Sequence, residues 1–250
     1  MFKQFSMRAA VALIFMATPA SATIVQILGQ NFNLGGTTTW MQDSDGAGAA
    51  PLTTVDNGYA GAYNIRINGG ATVQAFCIDL FRGLAVPFTY NNQSIVMPTS
   101  NTLTDMTRVS RAAWIFSDVF PKISALATQY ATTQQTIAVA LQFALWEVMV
   151  DGNSPFSLAA NSFRRAAAVG AGNSANVDYA KVVTITADFG AAYQGPVNAA
   201  IANRSFILVD VSANGGNTQR LISVVPEPGT MALFGSALLA LGLVARRRKA

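Results

Sequence analysis

The hydrophobic positions of the chain change their spacing twice along its length. From about residue 23 to 96, short apolar or alternating runs are separated by glycine-rich turns, which is typical of β-strands. The clearest runs cover residues 23–28, 60–67 and 71–80. Between the first two, the Gly-, Thr- and Ala-rich stretch at residues 35–54 predicts an exposed loop.

The middle of the chain has helical spacing. One short helix is predicted over residues 110–120, where Pro121 ends it. The strongest helix is predicted over residues 132–150, because Thr132 and Gln135 have capping-box spacing and Asp151-Gly152 supplies a stop. Ser154-Pro155 predicts the start of a further helix that runs to about residue 169.

The last third returns to strands, predicted over residues 181–187, 205–211 and 220–225. Strands, then helices, then strands indicate one domain over residues 23–224 that is mainly β with a helical subdomain (α+β). We expect a β-sandwich or barrel with inserted helices. An N-terminal signal helix and a C-terminal hydrophobic helix are predicted to flank it.

The N-terminal end has the pattern of a secretory signal peptide over residues 1–22. Lys3 and Arg8 give a positive start, residues 9–16 form an apolar segment, and the small residues before Thr23 form a cleavage site. We expect signal peptidase to cut between Ala22 and Thr23, so that the mature protein lies outside the cytoplasm.

The C-terminal end, residues 225–250, combines a Pro-Glu-Pro triplet, an uncharged apolar run at residues 231–245 and a final cluster of cations. This run is slightly short for a membrane span, but the cations that follow it can extend its reach and favour the cytoplasmic side. The pattern therefore predicts a short transmembrane helix that holds the chain in the inner membrane transiently. The end resembles the PEP-CTERM sorting signal of Gram-negative bacteria. The residues that carry the resemblance are Pro226, Glu227, Pro228, Arg246, Arg247 and Arg248.

That resemblance implies processing by an exosortase and release to the cell surface or an extracellular matrix, such as that of a biofilm.

The composition of the domain argues against several other classes of function. The chain has 16 basic and 12 acidic residues. Of these, 10 basic and 11 acidic residues lie between residues 23 and 225, which gives that segment a net charge of −1. No basic patch calls for nucleic acid. The absence of His and the presence of one Cys argue against His-based catalysis, a disulfide framework and a Cys-rich metal site.

The single cysteine, Cys77, lies in the third strand-like run. Because residues i and i+2 of a strand share a face, Asp79 points the same way as Cys77. A free Cys is commonly a buried small hydrophobe. In an oxidising compartment, however, an unpaired thiol is a liability unless something occupies its sulfur.

Gln142 lies in the strongest predicted helix, on one stripe with Ala138, Leu145 and Met149, and Trp146 follows one turn later. A buried amide without partners costs roughly 1–3 kcal/mol, so something should engage it. A hydrogen bond to backbone beside a core Trp is one explanation.

Together, Phe76-Cys77-Ile78-Asp79 and the segment from Gln142 to Trp146 resemble the motifs of the Cys–Gln thioester-forming domains of bacterial surface proteins. Leu141 departs from that pattern, where Thr is usual, and Leu145 replaces Ile. The resemblance implies that Cys77 attacks the side-chain carboxamide of Gln142, releases ammonia and leaves an internal thioester.

In that reading Asp79 either handles the thiol proton or hydrogen-bonds a loop end, and Trp146 shields the bond from water. The thioester would then acylate an amine on a surface or matrix component once, as covalent adhesion. We therefore expect that the protein is not an enzyme and that it binds neither a cofactor nor a metal. The alternative is a passive structural matrix protein with the same sorting signal and a buried, unreacted Cys77.

Overall fold

The computed structural model describes residues 23–42, 54–79, 87–99, 105–152, 163–165, 175–210 and 220–224. The strands in these ranges are β1 (Thr23–Gln42), β2 (Thr54–Ile67), β3 (Thr72–Cys77), β4 (Phe88–Val96), β5 (Phe163–Arg165), β6 (Ser205–Asp210) and β7 (Leu221–Val224). The helices are α1 (Met106–Val119), α2 (Ile123–Gln129), α3 (Gln134–Asp151), α4 (Tyr179–Ala192) and α5 (Ala199–Ala202), with a 3₁₀ turn at Phe120–Lys122 between α1 and α2.

Six of the strands form a closed antiparallel ring. The order around it is β2-β3-β7-β6-β4-β1, and β1 pairs with β2 to complete the circuit. The sequence predicted a mainly-β fold but left a β-sandwich and a barrel as alternatives. Because the strands close into one ring and not into two stacked sheets, the barrel is the correct alternative. The short strand β5 adds to the far end of β1, where Phe163 pairs with Gln42.

The alternation of side chains along the strands creates two cores. One lies inside the ring, and the other lies between the outer face of the ring and the helices. The inner core contains Val25, Ile27, Tyr59, Tyr63, Ile65, Ala75, Cys77, Phe206, Leu208 and Leu221. Phe76 and Ile78, the immediate neighbours of Cys77, belong instead to the outer core. The end of β3 therefore contributes to both.

Helix α3 is the centre of the outer core. All of residues 136–148 are buried, so the helix is enclosed on every side rather than along one stripe. It begins at Gln134, two residues later than predicted: Thr133 is the cap, and its hydroxyl accepts a hydrogen bond of 3.1 Å from the Thr136 backbone N–H. It ends where predicted, after Asp151, because Gly152 adopts a positive φ of 70°.

Three secondary-structure predictions are wrong where the structure describes the residues. Residues 181–187 lie in helix α4 and not in a strand. The buried residues Val182, Ile185 and Phe189 recur with helical spacing, and Asp178 caps the helix through the Lys181 N–H at 3.2 Å. Packing thus overrides the β-propensity of Val, Thr and Ile.

The predicted loop over residues 35–54 is also wrong where it is described, because β1 continues to Gln42 along β2. Gly35 faces Gly61 in this pairing, and Gly61 has a φ of 140°. A side-chain carbon at Gly61 would lie 2.4 Å from the Gly35 Cα. The glycines that suggested a loop instead allow two strands to come close together. Residues 43–53 lie outside the described ranges.

Of the helix predicted up to residue 169, residues 163–165 form strand β5, and the remainder lies outside the described residues. The helices predicted at the two ends of the chain, residues 1–22 and 225–250, also lie outside them. None of the helices in the described part combines the length and apolar character needed to cross a bilayer. The strands predicted near residues 205–211 and 220–225 correspond to β6 and β7.

Candidate functional site

Cys77 occupies the last position of β3, where the strand leaves its partner β2. The last β2–β3 pair is Ala62 with Phe76, and on the other side Cys77 pairs with Leu221 of β7. The Cys77 residue is 2% exposed and faces the inner core. Burial, together with the negative charge of Asp79, raises the pKa of the thiol well above its ordinary value. The sulfur is therefore held as a neutral thiol, out of contact with water.

Gln142 lies in the middle of α3 with no exposed surface. Its side-chain amide nitrogen donates a hydrogen bond of 2.6 Å to the backbone carbonyl of Cys77. Helix α3 thus satisfies the carbonyl at the point where β2 and β3 separate. The two residues with candidate chemistry, 65 positions apart in sequence, are in direct contact.

The oxygen of the Gln142 side-chain amide has no comparable hydrogen bond. Its Oε1 is buried, and no group in the described part of the chain donates a hydrogen bond to it. An unpaired buried carbonyl costs about 1–3 kcal/mol. Among the described residues, the Gln142 amide therefore has a partner for its nitrogen and none for its oxygen, and that nitrogen contacts the residue that carries the single thiol of the protein.

Asp79 is held in an ion pair that anchors the segment after β3. Both of its oxygens accept from the Arg220 Nε at 2.9 Å, and one also accepts from the Arg220 backbone N–H at 3.1 Å. In turn, the Ile78 N–H donates to the Arg220 carbonyl at 3.0 Å. The geometry places Asp79 in a structural contact at a loop end, which is one of the two roles considered for it.

Arg220 has a second acidic partner, Asp105, immediately before helix α1. Its Nη1 and Nη2 each donate to one Asp105 oxygen at 2.8 Å. Burial opposes ionisation of Asp105, but the hydrogen bonds and charge of Arg220 outweigh it and lower the Asp105 pKa. Burial by itself would lower the pKa of Arg220, but the hydrogen bonds and charges of the same two acids outweigh it and raise that pKa. Sequence reasoning missed Arg220 and Asp105, because the contacts join residues 141 and 115 positions apart.

Trp146 is 2% exposed and lies one helical turn after Gln142. Its ring packs beside that of Phe143, with 5.9 Å between the centroids. Both aromatic side chains therefore sit on α3 around the Gln142 turn. Burial and aromatic packing thus make the helix around this turn dry and apolar.

Two tyrosines of β2 complete the surroundings of Cys77 on the ring side. The one proton of the Tyr59 hydroxyl is shared between two acceptors, the Asn31 carbonyl at 2.5 Å and the Ala62 carbonyl at 2.9 Å. The Tyr59 and Tyr63 rings meet edge to face at 5.1 Å. Burial is the main cause that raises the pKa of each phenol, so both remain neutral at ordinary pH. No sequence signal singled them out.

The arrangement offers a thiol, a carboxamide and a dry enclosure. Within the described ranges, no group of three or more His, Cys, Asp or Glu side chains lies close enough together to hold a metal ion. Cys77 and Gln142 bring a thiol and a carboxamide, the two groups that an acyl transfer would need, into one buried region. The product of that transfer would be a covalent link between β3 and α3.

The comparisons with known proteins bear first on the end of the chain. Residues 224–249 match the family description "PEP-CTERM protein-sorting motif", and this range includes the Pro-Glu-Pro triplet and the arginine cluster. The chain carries this sorting motif. It is therefore an exported surface protein and an exosortase substrate, as the sequence predicted. The motif covers 26 residues and leaves the domain itself without a family assignment.

One solved structure resembles the domain weakly. It is the N-terminal domain of the Streptococcus pyogenes pilus tip adhesin Cpa, with 12% sequence identity and a TM-score of 0.39, over 80% of this chain and 97% of that chain. At this TM-score the likeness carries no argument about fold or function. Comparison with curated proteins finds no match.

Proposed function

We propose that this exported protein forms an internal thioester between Cys77 and Gln142 and uses it for covalent attachment to an amine on a surface or matrix component. The observation that carries the proposal is the 2.6 Å hydrogen bond from the Gln142 side chain to the Cys77 carbonyl. Exosortase sorting supplies the setting, since a sorted surface protein meets such components directly. Release to the extracellular matrix after a transient stay in the inner membrane belongs to the same proposal.

The bond-forming step exchanges one leaving group for another. The Cys77 sulfur attacks the carboxamide carbon of Gln142, the C–N bond breaks, and the thiol proton leaves with the nitrogen as ammonia. A thiol is a weak nucleophile and an amide is a poor acylating group, so the fold must supply the effective concentration. Helix α3 and strand β3 do this by holding the two residues in contact.

Burial explains how such a bond would survive in water. Gln142 has no exposed surface and Cys77 is 2% exposed, so hydrolysis requires a local opening of the fold. The same opening would admit an amine. In the attachment step, the amine nitrogen attacks the thioester carbon, the C–S bond breaks, and the Cys77 sulfur takes up a proton. The result is an amide bond between Gln142 and the partner.

The proposal is tested by digesting the purified protein with trypsin at mildly acidic pH. Trypsin releases Cys77 in residues 67–82 and Gln142 in residues 123–164. We expect one species with the summed mass of the two peptides minus one ammonia. Treatment of the intact protein with methylamine should separate the peptides and add methylamine, minus ammonia, to the Gln142 peptide.

Two variants control this experiment. Cys77→Ala should abolish the linked species, whereas Gln134→Met, at an exposed position on the same helix, should leave it unchanged. If the wild-type peptides separate at their unmodified masses and Cys77 titrates as a thiol, the thioester is wrong. The passive matrix protein then becomes the better account, and the buried thiol with its raised pKa already fits it.

A further inference from the structure

The ion-pair cluster of Arg220, Asp79 and Asp105 lies next to the proposed thioester but has no part in the acyl transfer itself. All three side chains are mostly buried, with 19%, 13% and 29% of their surfaces exposed. One guanidinium serves two carboxylates through five side-chain hydrogen bonds of 2.5–2.9 Å. Such a forked, shared arrangement fixes geometry more strongly than a single exposed ion pair.

The cluster joins three elements at the position of the candidate bond. Arg220 immediately precedes β7, whose Leu221 pairs with Cys77. Asp79 follows Cys77 by two residues, and Asp105 precedes α1, which packs against α3. The guanidinium therefore ties the end of β3 to the helical layer that carries Gln142. An error of about 1 Å in such a placement is enough to slow a reaction strongly.

The cluster also controls charge. The groups that interact electrostatically with Cys77 in the described part of the chain include Asp79 on its own segment and Tyr59 and Tyr63 on β2, and Arg220 pairs with Asp79. The two phenols are neutral. Asp79 is thus the anion that opposes formation of a thiolate, and Arg220 is the cation that compensates it.

We propose that Arg220 is a positioning residue for the Cys77–Gln142 bond: by binding Asp79 and Asp105 together, it holds the end of β3 against the helical layer and neutralises the carboxylate beside the thiol. This inference rests on the proposed thioester. It assigns to Arg220 a role in forming the bond, beyond that of an ordinary structural ion pair.

The test uses full chain isolated unfolded from inclusion bodies, in which Gln142 still carries its amide, and follows ammonia release as this chain folds at a series of pH values. Arg220→Gln leaves Asp79 uncompensated, so formation should slow about tenfold at neutral pH and its pH profile should move upward by about one unit. Adding Asp79→Asn to that variant removes the unbalanced charge, and the profile should return to the wild-type position. A merely structural role would change the folded yield or the rate of formation but would leave the midpoint of the pH profile where it is in the wild type.

Asp105→Asn is the matched control, because it loosens the same cluster but leaves Arg220 paired with Asp79. Its pH profile should match that of the wild type, although its rate is lower. Arg220→Lys keeps the charge and loses the fork, so it should show a slower rate at an unchanged midpoint. If Arg220→Gln alters the folded yield but not the midpoint, or if the double variant stays shifted, the inference is overturned.

A second measurement separates this inference from the thioester. In a Gln142→Met background no ammonia can be lost, and the Cβ chemical shift of the isotope-labelled single cysteine reports the thiol titration. The Arg220→Gln variant should titrate about one unit higher, and the double variant should return to the starting value. If the wild type never releases ammonia, the proposed function fails, and this titration still decides whether Arg220 controls the Cys77 thiol.

Discussion

Replacing Gln142 by Met gives a stability measurement that separates a cross-linked domain from an unlinked one. Met has a similar length and no polar atoms, so the substitution acts on the amide alone. In an unlinked protein, it removes the hydrogen bond to the Cys77 carbonyl, a loss of about 1–3 kcal/mol when that carbonyl stays buried and unpaired. It also relieves the unpaired Oε1, a gain of similar size. The net change without a thioester should lie near zero, within about 1 kcal/mol.

A thioester changes this expectation. It would close a loop of 65 residues between Cys77 and Gln142. In the chain-entropy treatment of cross-links, a loop of this length restricts the unfolded state by about 4 kcal/mol. Both Gln142→Met and Cys77→Ala would lose this contribution, because either change prevents the bond. Gln142→Met should therefore destabilise the domain by about 4 kcal/mol if the bond is present.

The assay is equilibrium unfolding in urea, followed by tryptophan fluorescence at mildly acidic pH, where thioesters persist. Wild type, Gln142→Met, Cys77→Ala and the control Gln134→Met are compared. Wild-type protein treated with hydroxylamine, which opens thioesters, should fall to the stability of Gln142→Met. If untreated wild type, hydroxylamine-treated wild type and Gln142→Met unfold at the same urea concentration, the cross-link reasoning is refuted.

Two further predictions concern the framework of the site. Arg220→Met should cost about 2 kcal/mol at pH 7, because it removes charged hydrogen bonds from two carboxylates. The pKa of Asp105 is lowered from 3.8 in the folded protein. Its contribution to the free energy of unfolding is therefore fully present above that value and is lost as the pH falls through the lower folded-state pKa. The stability difference between wild type and variant should accordingly shrink when unfolding is measured at acidic pH. An equal difference at all pH values would contradict this. Gly61→Ala should cost about 2 kcal/mol or more, from its positive φ and the clash with Gly35. Gly29→Ala, in open space on β1, should change the urea midpoint little, and equal effects of the two would refute the close-approach argument.

Much of the secondary structure could be predicted because it depends on local pattern. The ends of α3 follow from the cap at Thr133 and the glycine at position 152, within two residues of the expected bounds. The errors occur where local pattern and packing disagree. The run at residues 181–187 is rich in β-branched residues, yet its buried positions match a helix against α3. Likewise, glycines 35 and 61 are turn-like residues that serve a close strand pairing.

The candidate site shows the same division. The residue types of the motifs made Cys77 and Gln142 candidates, and a contact between them was predictable only through resemblance to thioester-forming domains. The export signal at the C-terminal end was readable directly, because a sorting motif is a short linear pattern, and its family match confirms it.

The sequence by itself determined the export route, the mainly-β character with inserted helices, and the two residues proposed to react. The tertiary structure alone decided that the strands close into a ring, that Cys77 is the point where β2 and β3 separate, and that Arg220 joins Asp79 to Asp105. The physical reason is distance along the chain. Caps, periodicities and linear motifs depend on neighbouring residues, whereas contacts across 65, 115 and 141 residues exist only once the elements have packed.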